Sequence, residues 1–282
     1  MTHLSIWGEL ADVDHELLHV DVEGVRTRVL RAGAGPDLIL LHGTGGHLEA
    51  YSRNIGGLAK DFRVTAYDMV GHGWSDLPDR PYTVDVLSDH LLGLMDTLGT
   101  HRAHLSGESL GGWVTAWTAA HHPDRVDRLV LNTPGNIANK PEVMTRLRES
   151  TMAAVLDPSH DTVRRRVEFL FHHKEMVTAE LVELRRAVYR RPGFVRAITN
   201  TLVLQDPMVR KDFGWDPSWV GKIVAPTLLL WTEHDPTGGL DEAQMLLSWL
   251  PDARLHVIAD AGHWPQWEKP DEYLQAHRDF LI

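Results

Sequence analysis

The chain contains no cysteine. Disulfides and thiolate metal sites are thereby excluded, and a reducing compartment such as the cytoplasm suits the composition. Positive charge is scarce: 28 Lys and Arg stand against 39 Asp and Glu, a formal net charge of −11. An acidic chain argues against nucleic acid and anionic membrane as partners. Long apolar runs are missing too, since nothing approaches the roughly 18 consecutive apolar residues of a spanning helix. The opening stretch MTHLSIWGELADVDHELLHV carries acids early and lacks an apolar core, unlike a signal peptide. There is no H-E-x-x-H pattern, and the pairs His121-His122 and His172-His173 would point to different faces of any helix. The expectation is a soluble, cytoplasmic protein with a small-molecule substrate, no metal and no cofactor. A homodimer is compatible with the chain, but no residue specifies one.

What is present is enough for a full core: 282 residues, 43% hydrophobic, suiting one large domain or one domain with an insertion. LLHVDVEGVRTRVLRAG has the alternation of a hairpin turning at Glu23-Gly24. DLILLHG, residues 37–43, and FRVTAYD, residues 62–68, are continuous apolar runs, as in strands buried on both faces. AHLSG, RLVLNTP, PTLLLWTEHD and ARLHVIADAGH extend the series. Helical patterns over 49–59, 83–98, 110–121 and 240–250 separate these runs, and PDEYLQAHRDFLI closes the chain. Strands alternating with helices predict an α/β fold, with a mostly parallel central sheet and helices on both faces. Residues 136–222 break the alternation. They carry helical spacing, no clear strand, and Pro141, Pro158, Pro192, Pro207 and Pro217. This segment is expected as a helical lid inserted into a core made of 1–135 and 223–282, with its basic residues on a solvated helix face.

HLSGESLGGWV, residues 104–114, places G-E-S-L-G between a strand and a helix. G-x-S-x-G requires that context, because a sharp turn there aims the serine hydroxyl outward and the flanking glycines avoid clashes. A serine hydroxyl needs a base, and the base needs an orienting acid. Asp235 follows one strand run and His263 another, giving the order Ser109, Asp235, His263 at strand exits. Glu233 is a weaker second acid. His234 should point away from Asp235, Asp260 reads as structural, and Asp68 reads as a backbone support. A developing oxyanion needs two donors. Leu110 N–H is one; the loop HGTGGH, residues 42–47, offers Thr44 N–H, with Gly43 second.

The pieces LLHGTGG, YDMVGHGWSD, GESLGGW, WTEHD and AGHWPQWEKPDEY resemble the α/β-hydrolase superfamily over nearly the whole length. GHWPQWEKPDEY is similar to the meta-cleavage-product hydrolases, which split carbon–carbon bonds in dienoate ring-fission products. The resemblance implies that Trp264 lines the substrate site and that Arg185, in TAELVELR, meets a substrate carboxylate or enolate; a solvent-facing helix arginine is the alternative. Where that family usually has asparagine before the serine, this chain has Glu108, and the glycine–proline–glycine stretch of the oxyanion loop is absent. An acid facing the pocket would repel an anionic dienoate. The implied activity is C–C hydrolysis of a 2-hydroxy-6-oxohexa-2,4-dienoate type compound through a Ser-His-Asp triad. A carboxylesterase or lactonase would use the same groups. A ligand sensor on this fold would need a partner surface, and the sequence shows no long exposed apolar stripe.

Overall fold

The computed structural model describes residues 5–135, 137 and 140–282. The chain opens with β1 (His15–Val22) and β2 (Val25–Ala32), antiparallel with Val22 opposite Val25. Glu23 and Gly24 both take positive φ, 50° and 83°, which is what a two-residue hairpin turn of matching twist requires. Then follow β3 (Asp37–Leu41), α1 (Ser52–Leu58), β4 (Arg63–Tyr67), α2 (Val84–Thr97), β5 (Ala103–Glu108), α3 (Leu110–His121) and β6 (Val126–Asn132). The next helices are α4 (Pro141–Leu156), α5 (His160–Glu168), α6 (Ala179–Tyr189), α7 (Phe194–Thr201), α8 (Pro207–Phe213) and α9 (Pro217–Val220). Last come β7 (Thr227–Thr232), α10 (Leu240–Trp249), β8 (Ala253–Ile258), α11 (Pro265–Glu268) and α12 (Pro270–Leu281).

The strands form one eight-stranded sheet in the order β1-β2-β4-β3-β5-β6-β7-β8. β2 runs antiparallel to β4, and every pair from β4 to β8 is parallel. This is the mostly parallel α/β sheet expected from the alternation. Its central strands are buried on both faces, as in β5 and β7. Successive residues therefore serve different cores: Leu38 and Leu40 join one apolar cluster, Ile39 and Leu41 the other. The first cluster holds α12 residues such as Tyr273 together with Val163, Leu181 and Val188 of α5 and α6; the second holds Leu91 of α2 and Val114 of α3. The helices between β6 and β7 are thus packed into the same core as the sheet. No helix among the described residues is long and apolar enough to cross a membrane.

Three local expectations fail. His172 and His173 lie in a bend, not a helix, and their ring nitrogens converge with Asp260 on the surface, donor atoms within 4.8 Å of one another. Lys269 Nζ also sits 2.7 Å from Asp260 Oδ2. Asp260 lies beyond β8, at φ 51°, not within that strand. The basic residues of the helical segment are not all on a solvated face either: Arg166, Arg185 and Arg210 are buried.

Candidate active site

β5 ends at Glu108 and α3 begins at Leu110, so Ser109 alone makes the turn, at φ 54° and ψ −114°. A side-chain-bearing residue rarely takes this backbone; here the surroundings over-determine it. The strand and helix approach too closely for side chains. A Cβ on Gly107 would lie 2.2 Å from the Gly111 carbonyl oxygen, and one on Gly111 2.3 Å from that of Leu41. Ser109 N–H donates to Asn132 O at 3.0 Å, and Ser109 O accepts from Trp113 N–H at 3.1 Å. The hydroxyl faces a cavity shared with Thr44, Arg166, Arg185, His263 and Trp264.

His263 is carried by the loop after β8. Its N–H donates to Leu170 O at 2.8 Å and its carbonyl accepts from Thr133 Oγ1 at 3.2 Å, so the helical segment and the end of the chain before it both hold it. Glu268 braces the same corner, accepting from Gly262 N–H and His173 N–H, both at 2.8 Å. The ring's Nδ1 lies 2.9 and 3.0 Å from the two Asp235 oxygens. Thr237 aims that carboxylate: its N–H and its hydroxyl each reach Asp235 Oδ1 at 2.8 Å. Sequence reasoning missed Thr237, although a threonine two residues beyond an aspartate in a turn is a ready partner.

The other ring nitrogen has an unforeseen neighbour. His263 Nε2 lies 3.1 Å from Glu108 Oε1. Glu108 is only 1% exposed, and its Oε2 has no hydrogen-bond donor. No hydrogen bond joins Ser109 Oγ to His263. The structure therefore brings His263 and Asp235 together, sets Ser109 on the same cavity, and puts Glu108 on the nitrogen that Ser109 would use. Burial opposes the charged imidazolium, but Asp235 and then Glu108 outweigh it, and the His263 pKa is pushed up to about 10.

The candidate oxyanion donors border this carboxylate. Neither the Leu110 nor the Thr44 amide donates to any other described residue. A Cβ on Gly43 would lie 2.5 and 2.9 Å from the two Glu108 oxygens, so glycine is required there to seat the acid. Across the cavity Arg185 is 3% exposed, not a solvent-facing helix arginine. Its Nη1 donates to the Gly45 carbonyl at 2.5 Å, its guanidinium lies 5.4 Å from the Trp264 ring centroid, and its Nε and Nη2 have no acceptor. Arg166 stands nearby, 6% exposed, with Nε on Thr151 Oγ1 at 3.1 Å and Nη1 unpaired. The rival residues stay outside. Glu233 is exposed and accepts from Asp260 N–H, and His234 stacks on His172 at 4.0 Å. Asp68 supports backbone, accepting from Leu48 and Trp74 N–H groups at 2.7 Å each.

A strained serine between β5 and α3, with a histidine–carboxylate pair at two further strand exits of a parallel sheet, defines a hydrolase of the α/β type. Comparison agrees: the alpha/beta hydrolase fold family matches residues 36–270, and the chain belongs to it. Its relatives include the 2-hydroxy-6-oxo-6-phenylhexa-2,4-dienoate hydrolase of Comamonas testosteroni, 33% identical over 89% of each chain. The 2-hydroxymuconate semialdehyde hydrolase of Pseudomonas sp. (strain CF600) is 32% identical over 92% of this chain and 91% of its own. The solved structure of a 2-hydroxy-6-oxo-6-phenylhexa-2,4-dienoate hydrolase from Rhodococcus sp. strain RHA1 superposes with a TM-score of 0.82. It shares 26% identity and covers 95% of this chain and 99% of that one.

Proposed function

We propose that the protein is a serine hydrolase that splits a carbon–carbon bond in ring-fission products of the 2-hydroxy-6-oxohexa-2,4-dienoate type, with Ser109, His263 and Asp235 as nucleophile, base and orienting acid. The observation that carries this reading is Arg185: a buried guanidinium with two unpaired nitrogens, on the same cavity as Ser109 and His263. A buried cation without an anionic partner is costly, and a substrate carboxylate or enolate would supply the missing partner. The relatives' named substrates are acids of this kind.

The chemistry follows from the groups present. The dienol first becomes its keto tautomer. Ser109 Oγ then adds to the C6 carbonyl as its proton passes to His263, and the oxyanion takes the Leu110 and Thr44 amides, with Gly43 the alternative donor. The C5–C6 bond breaks; its electron pair goes to C5, stabilised by conjugation with the new keto acid and quenched by a proton. Water, activated by His263, releases a carboxylic acid from the acyl-enzyme. The second product is a 2-hydroxypentadienoate. Asp235 holds the imidazole in place and favours its charged form. The helices over 136–222 act as the lid that carries Arg185, and Trp264 forms a wall of the site. Every group named comes from one chain, so a homodimer adds no residue to this mechanism. The cysteine-free composition suits the cytoplasm.

A neutral ester or lactone is the second reading, favoured by the Glu108 carboxylate that faces the cavity. The test is spectrophotometric. Purified protein added to acidic dienoates should bleach their dienolate absorbance, and Arg185→Gln should lower kcat/KM for them by about 10- to 100-fold, the worth of a hydrogen bond to a charged group. Much faster turnover of neutral esters by the parent would establish the second reading instead.

A further inference from the structure

We infer that Glu108 is a positioning residue: in the free enzyme its carboxylate holds the Nε2–H of His263, and Ser109 becomes a nucleophile only when that carboxylate gives way. The inference rests on Ser109 and His263 being nucleophile and base; the held state of the free enzyme does not depend on the substrate. Glu108 Oε1 and His263 Nε2 are 3.1 Å apart, both side chains nearly inaccessible. A neutral ring with its Nδ1 proton on Asp235 would present the Nε2 lone pair to carboxylate lone pairs, a repulsive contact in a buried site. The geometry is attractive only with a proton between the two atoms. Such a ring has no free lone pair to take the proton of Ser109.

Burial opposes a charged ring, but carboxylates at both of its nitrogens outweigh that. Asp235, after β7, meets the opposite ring nitrogen, with the Thr237 hydroxyl 3.1 Å from the same Nδ1. Arg166 of α5 attracts the Glu108 charge, while the Tyr51 hydroxyl donates to Leu41 O and that of Tyr273 on α12 meets Ser106 Oγ. Arg185 of α6 lines the same cavity. Against Gly43, the carboxylate also lies beside the candidate oxyanion donors.

Release conserves the proton. It moves from Nε2 to Oε1, leaving a neutral imidazole and a neutral carboxyl, which then turns from the ring so that Ser109 can donate to Nε2. An anionic substrate beside Glu108 disfavours a second negative charge there and so favours the protonated carboxyl. A free enzyme with its serine idle would thus be armed by the acid it consumes.

The experiment compares the parent with Glu108→Gln. Ser109 is labelled with phenylmethylsulfonyl fluoride, a neutral reagent, between pH 6 and 10, and the second-order rate is plotted against pH. In the parent the rate should climb through the alkaline range. In Glu108→Gln the midpoint should fall by at least one pH unit, with labelling at pH 7 faster by about tenfold or more. Coincident profiles would overturn the inference. Failure of both proteins to react at any pH would instead remove Ser109 as nucleophile, and the inference with it. The unsubstituted protein gives a reading independent of the variant's folding. With 15N-labelled histidine, both ring nitrogens of His263 should be protonated at pH 8, and an unprotonated Nε2 there would equally overturn it.

Discussion

Two buried clusters of charge lie close to the sheet, and they are built differently. In the first, Arg28 of β2 bridges Glu49 at 2.6 Å and Asp68 at 3.3 Å. The second Glu49 oxygen meets His47 Nδ1 at 3.0 Å, and both Asp68 oxygens accept backbone N–H groups at 2.7 Å. Every carboxylate oxygen there has a partner. In the second cluster Glu108 keeps an oxygen without a donor, and Arg166 and Arg185 keep nitrogens without acceptors. Leaving a buried polar group unpaired costs about 1–3 kcal/mol, and more when it is charged. Paired charges mark a scaffold, even with His47 Nε2 left open there; unpaired ones, gathered on a cavity with a strained serine, mark a place where a ligand completes the set.

The comparison breaks if the open cluster proves inert. Ser109→Ala should lower kcat by ~10³-fold or more while the thermal midpoint stays near that of the parent. Near-normal turnover would take the serine out of the reaction. The closed cluster should show the reverse pattern. Arg28→Met leaves two buried carboxylates without their cation, so urea unfolding should show a loss of about 3–5 kcal/mol. Arg166→Met removes a cation that has no acidic partner within bonding distance, and its urea midpoint should match or exceed the parent's. Equal losses in the two variants would erase the distinction between them.

Much of this was legible in the residues. The runs at 37–43, 62–68 and 226–235 became β3, β4 and β7, because strands buried on both faces must be apolar throughout. G-E-S-L-G specified its own turn, since two glycines next to a serine leave little other reason for the spacing. The buried arginines were written in the sequence too, but in the helical period. Val163, Arg166 and Val167 share one face of α5, and Leu181, Val182, Arg185, Val188 and Tyr189 share one face of α6. An arginine in an apolar stripe at i+3 and i+4 spacing is a buried arginine, a signal outweighed by the general habit of charged helices to face water. The Glu108–His263 contact was not legible. It joins residues 155 positions apart, and a strand-end acid beside a serine turns toward the cavity only once β8 and its loop have folded alongside.

One further prediction bears most directly on the charge of the open cluster. The His263 pKa is raised from an ordinary 6.5 to about 10, burial opposing the shift and Asp235 and Glu108 driving it. A group raised in the folded state stabilises that state fully below its unfolded pKa and ceases to do so as pH passes the folded one. The stability gap between the parent and His263→Gln should therefore be widest at or below about pH 6.5, in the range where the unfolded histidine also binds its proton. It should narrow steadily as the pH approaches 10. Denaturant midpoints across this range measure the gap, and the narrowing isolates the proton from the packing lost with the ring, because packing does not titrate. A gap that stays constant from pH 6 to 10 would mean that the folded ring binds no extra proton. The open cluster would then carry two carboxylates facing a neutral imidazole, and its difference from the closed one would lie in geometry alone.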